Sequence, residues 1–168
     1  MEAAIWGIIG TIIGALASIT TTVIASWNMN NLSNKAKEYE REEIAKEFQR
    51  QTILELQVEL LEYFRSCAQI YKNDEIDFEK TGEWGSSMSD LDNKNRELSA
   101  KTSILIQRVA DHELRAKLNL FKNSCNKCLM AKEQAEAEVH LVASFEMYKE
   151  LIELIGKVLR STYWQPNA

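Results

Sequence analysis

Residues 6–27, WGIIGTIIGALASITTTVIASW, carry no charge and begin and end on tryptophan. Around them the uncharged stretch runs from Ala3 to Asn34, and from Lys35 onward charges recur every few residues. A helix rising about 1.5 Å per residue sets Trp6 and Trp27 roughly 30 Å apart, the thickness of a bilayer's hydrocarbon core. Indole rings favour the headgroup interface, where the ring is apolar and the N–H stays wet. The stretch therefore predicts one transmembrane helix with an aromatic anchor at each end. Gly7, Gly10, Gly14 and the threonines Thr20, Thr21 and Thr22 lower its hydropathy without breaking a helix held in lipid.

A cleaved signal peptide is the competing reading, with Ala15-Leu16-Ala17 as cleavage site. It requires a basic leading segment, whereas the only charged side chain ahead of the apolar run is Glu2. An uncleaved anchor is the better account. Lys35, Lys37, Arg41, Lys46 and Arg50 follow the anchor and nothing basic precedes it. Positive-inside orientation then places the C-terminal part in the cytoplasm. Three cysteines without a framework pattern agree with a reducing compartment.

The remainder divides into a charged stalk, residues 29–50, and a helical part, residues 51–168, after an anchor segment spanning 1–28. A polar, Asn-rich junction covers Asn28–Asn34, and a long helix is expected from near Ser33 towards Lys72. Its second half has an apolar stripe at Ile53, Leu56, Leu60, Phe64, Cys67 and Tyr71, in steps of three and four. Asn73–Asp90 reads as the one long loop, with Gly82 and Gly85. Further stripes follow at Leu91, Leu98, Thr102, Leu105 and Val109, then at Leu114, Leu118, Phe121, Cys125 and Cys128. A last helix, about Glu136 to Thr162, offers Leu141, Phe145, Tyr148, Ile152, Ile155 and Leu159. No strand signal competes. The fold class is all-α: a transmembrane helix, a stalk helix and an antiparallel four-helix bundle.

Within the anchor, Gly7, Gly10, Gly14, Ala17 and Thr21 follow one another at helical spacing, and Gly10, Gly14 and Ser18 form a small-xxx-small run. In lipid no hydrophobic force drives helices together, so small residues that let backbones approach favour self-association. A ring of such helices can line a pore, while a dimer uses the same stripe without conducting.

Cys125-Asn-Lys-Cys128, with His112, His140 and Cys67 elsewhere, raises a zinc site as an idea. Both cysteines fall on the apolar stripe of their helix, and packing is the stronger reading. No cofactor or metal is expected. Arg108 and His112 stand four apart beside Asp111; on a continuous helix they share a face. His as general acid/base and Arg on a phosphate are the parts of metal-independent RNA cleavage. The plain reading is a helix junction with Asp111 as cap. A net charge of −5 and the lack of a basic run argue against stable nucleic-acid binding. Serine-nucleophile, P-loop and carboxylate-metal signatures are absent, so no enzyme is expected.

This layout of short tail, single anchor and cytoplasmic helical domain resembles the small membrane accessory proteins of type VI-B CRISPR systems, which accompany an RNA-guided nuclease. The resemblance implies a divergent HEPN-like bundle, in which Arg108 and His112 look like a degenerate nuclease motif. The HEPN pattern sets four to six residues between Arg and His; here only Val109, Ala110 and Asp111 intervene. It further implies a homo-oligomer larger than a dimer, forming a membrane pore that depolarises the cell and slows phage growth. A membrane-tethered ribonuclease and a plain tether or scaffold are the alternatives.

Overall fold

The structure, a computed structural model, describes the backbone of residues 2–85 and 90–163 and the side chains of residues 14–15, 17–85 and 90–163. Every regular element among them is helical: α1 (Glu2–Thr81), α2 (Asp90–Arg108), α3 (His112–Met130) and α4 (Gln134–Tyr163). The chain divides into two units, Met1–Ala45 and Lys46–Ala168.

The first unit consists of the leading part of α1. The expected Asn-rich junction is not a break, because the helix continues through Asn28–Asn34. Between Gly14 and Gly82 there is neither glycine nor proline. Asparagine and serine disfavour a helix by only about 0.7 kcal/mol each or less, which the regular turns on either side override. Ile19, Val23, Ile24 and Trp27 are each more than half exposed. Among the described residues no helix is long and apolar enough to cross a membrane. Residues 6–13 and Leu16, which hold much of the uncharged run's hydrocarbon, lie outside those whose side chains are described.

The second unit is a bundle of four helices: residues 46–81 of α1, then α2, α3 and α4. Its core joins Ile53, Leu56, Leu60 and Tyr63 of α1 to Leu98, Leu105 and Ile106 of α2, Leu114, Leu118 and Phe121 of α3, and Leu151 and Ile155 of α4. Burying each such side chain contributes about 1.5–3 kcal/mol. Phe64, Phe121 and Tyr148 form an aromatic cluster across α1, α3 and α4, with centroids 5.7 Å and 5.2 Å from Phe64.

Two expectations hold in part: Ile155 is buried and Phe64, Tyr148 and Leu159 pack against the core as their spacing implies, while other positions need correcting. Tyr63, not Phe64, is the fully buried aromatic of α1. Phe64 lies half-buried against Phe145 and Tyr148. On α4 the buried positions are Ala137, Ser144, Leu151 and Ile155. Leu141 and Ile152 flank that face, and Phe145 is exposed. Near the small pair Ala137 and Ser144, Ser124 of α3 donates to the His140 carbonyl at 3.2 Å.

The loop expected over Asn73–Asp90 is shorter than the sequence implies. α1 persists to Thr81 and stops at Gly82, whose φ of 75° only glycine adopts without strain. The Gly82 N–H donates to the Phe78 carbonyl at 2.8 Å, closing the last turn. Trp84 folds back onto Phe78 and Tyr71, at 6.0 Å and 5.5 Å, and covers the extra turns.

Candidate functional site

The α2–α3 junction carries the residues whose spacing suggested chemistry. α2 ends at Arg108 and α3 begins at His112, so the continuous helix that would align the two does not exist. Val109 opens the break. It is buried in the core and its N–H bonds back to Ile106 at 3.3 Å. Asp111, with φ −66° and ψ 119°, caps α3 by accepting from the Leu114 N–H at 2.7 Å. Arg108 and His112 are both exposed, one at the end of α2 and the other in the first turn of α3.

Backbone polar groups at this junction are satisfied from outside it. Gln49 of α1 donates through Nε2 to the Arg108 carbonyl and accepts at Oε1 from the Ala110 N–H, both at 2.9 Å. Arg115 donates to the Ala110 carbonyl at 3.3 Å. Gln49 carries no local sequence signal, because its partners lie 59 and 61 positions away. The neighbouring Arg50 donates to the Thr162 carbonyl at 2.8 Å and lies over the Tyr163 ring at 4.7 Å, tying down the end of α4.

The cysteines are packing residues: Cys67, Cys125 and Cys128 are free and buried. Cys125 and Cys128 continue the face of Leu114, Leu118 and Phe121, as their spacing predicts. The Cys125 thiol donates to Cys67 and holds it below the ordinary thiol value, with Asn95 and Tyr63 adding to the effect. Asn95 Nδ2 reaches the Cys67 sulfur at 3.3 Å. The thiol–thiol contact with Cys67, together with burial, keeps Cys125 protonated far above the usual range. Burial pushes Cys128 up to about 12. Tyr63 donates to Asn126 Oδ1 at 3.0 Å, and burial raises its phenol well beyond the ordinary value. Among the described residues no group of three or more His, Cys, Asp or Glu side chains is placed to hold a metal. His112 is exposed at the start of α3, while half-buried His140 on α4 receives the Ser124 and Ser144 hydroxyls at its carbonyl.

Of the small-residue face, Gly14, Ala17, Ser18 and Thr21 are described and exposed; Trp6, Gly7 and Gly10 lie outside the described side chains. A Cβ placed on Gly14 meets nothing within 4 Å. The threonine hydroxyls bond to their own helix: Thr21 to the Ala17 carbonyl at 2.8 Å and Thr22 to the Ser18 carbonyl at 2.9 Å. That arrangement removes the cost of carrying a hydroxyl into an apolar medium. Trp27 is exposed. No protein-family model, curated protein or solved structure matches the chain.

Proposed function

We infer that the chain is a homo-oligomeric membrane protein whose N-terminal helices form a pore-like assembly, larger than a dimer, in the bacterial inner membrane. Its bundle faces the cytoplasm, and the assembly strengthens antiphage defence by depolarising the membrane alongside an RNA-guided nuclease. One observation carries the membrane part. From Ala3 to Asn34 the chain holds no charged side chain, lies on a helix, and turns Ile19, Val23 and Ile24 to no protein surface. Apolar side chains left uncovered at Ile19, Val23, Ile24 and Trp27 call for lipid or for copies of the same helix. Hydroxyls satisfied within the helix support the same reading. The defence role rests on the resemblance of layout.

The bundle serves here as an assembly domain without catalysis, because Arg108 and His112 sit on separate helices and the junction's backbone is held by Gln49. The test is fractionation of cells expressing the full chain, followed by sizing of the detergent-solubilised particle. A carbonate-resistant membrane pellet and a particle larger than a dimer are expected. Recovery of the intact polypeptide in the soluble fraction overturns the reading. The defence part is tested by a potential-sensitive dye in cells where a co-expressed RNA-guided nuclease meets its target. Depolarisation only when both proteins are present is expected.

A further inference from the structure

On the bundle, α1 and α2 enclose a groove of about 430 Å³ lined by Glu55, Val58, Glu59, Lys101, Ile104 and Arg108, with Leu105 at its floor. Val58 and Ile104 are 62% and 55% exposed, large apolar side chains facing outward on adjacent helices. The charges are sorted by wall: both acids stand on α1 and both bases on α2. Among the described residues no ion pair joins the two walls. Glu59 Oε2 is shielded from solvent and has no hydrogen-bond partner, the one carboxylate oxygen so left among the described residues. A donor brought by a second molecule satisfies a carboxylate oxygen left in that position.

We propose that this groove is a two-fold interface between two copies of the chain. A face that must meet its own image needs acid on one side and base on the other. Rotation about an axis parallel to the bundle helices sets the acidic α1 wall of each copy against the basic α2 wall of its partner. The heights agree. Gln49 of α1 is level with Arg108 and Ala110, and Cys67 is level with Asn95, so the two helices run antiparallel. Counting between those cross-links puts Glu59 level with Lys101 and Glu55 about one turn from Arg108. After rotation, each Glu59 faces the partner copy's α2 wall at the level of Lys101, and a turn about its last torsion gives the stranded oxygen a cation. Val58 packs on Ile104 across the axis, twice. The interface belongs to the bundle and goes beyond the proposed contact between anchors.

Cross-linking of the full chain in mild detergent tests it. One chain carries Val58→Cys and a differently tagged chain carries Ile104→Cys; the native thiols are buried and stay out of the reaction. A mixed disulfide is expected, at least about tenfold above a control that pairs Ile104→Cys with Val139→Cys on α4. Glu55→Lys with Glu59→Lys in both chains abolishes it. The same pair of substitutions in the Val58→Cys chain, combined with Lys101→Glu and Arg108→Glu in the Ile104→Cys chain, restores it, because both contacts are then attractive again. The restored cross-link also shows that the variants fold. A yield equal to the control, or one indifferent to charge reversal, overturns the proposal. Adding Gly14→Leu to both chains separates this interface from the anchor. Retention of the mixed disulfide is expected, and its loss overturns the assignment to the bundle.

Discussion

Gln49 of α1 donates to the carbonyl of Arg108, 59 positions later, at 2.9 Å. A helix ends with carbonyls that have no partner, and here the side chain of another helix supplies one. The same amide accepts from Ala110, so one residue holds both sides of the α2–α3 break. Gln49→Ala is expected to destabilise the bundle by about 1–2 kcal/mol through two lost bonds. Gln49→Glu keeps the acceptor and loses the donor, so its loss is smaller. Chemical unfolding monitored by helical circular dichroism checks both; equal stability of wild type and Gln49→Ala excludes a clamp at this position.

Thr102 is wholly buried, and its hydroxyl has no hydrogen-bond partner. Valine fills the same shape without a polar atom to desolvate. Thr102→Val is expected to raise stability by about 1–2 kcal/mol at an unchanged denaturant slope. A loss of stability shows that the hydroxyl is satisfied in solution.

How far the sequence led depended on how many faces of each helix are apolar. α3 has a single stripe, and Leu114, Leu118, Phe121, Cys125 and Cys128 are all buried where their spacing puts them. α4 carries apolar residues around more of its circumference, with Val139, Val142 and Phe145 exposed. Several stripes fit it, and only the neighbouring helix selects Ala137, Ser144, Leu151 and Ile155. Tyr63 and Phe64 pose the same problem between adjacent positions. The end of α1 is hidden from a local reading because the polar run after Lys72 looks like a loop, while Trp84, folded back from beyond Gly82, covers those turns. Arg108 and His112 were legible as a pair, and Asp111 as a cap. Gln49 is not, because nothing local connects it with a carbonyl at the far end of the next helix.

Alkaline pH is expected to loosen the bundle. An unfolded thiol ionises near its ordinary value of about 8.5. Folded Cys128 holds its proton up to about 12. Between those values the folded state binds the additional proton, so stability is full below about pH 8.5 and declines as pH rises towards 12. Tyr63, raised by burial, acts in the same direction, and Cys67, held low, opposes it. Melting curves of wild type and Cys128→Val between pH 8 and 11 should diverge, with the shallower decline in the variant. Parallel slopes mean that Cys128 titrates normally in the fold.

Gly14 separates a property of one chain from a property of the assembly. A side chain added there meets nothing within 4 Å in a single copy, and the position is exposed. Leucine also has a better helix propensity than glycine, by roughly 0.8 kcal/mol or less. Gly14→Leu is therefore expected to leave the helix and the bundle as stable as wild type. If copies approach through their smallest side chains, a leucine at the seam holds the backbones apart and removes dispersion contacts on both sides. Sizing in mild detergent should then show smaller particles, and membrane depolarisation should fall with unchanged expression and unchanged bundle melting. Ile19→Leu, which keeps an apolar side chain of similar volume on the same helix, should leave particle size unchanged. A Gly14→Leu chain that assembles and conducts like wild type places the contact on another face of the helix.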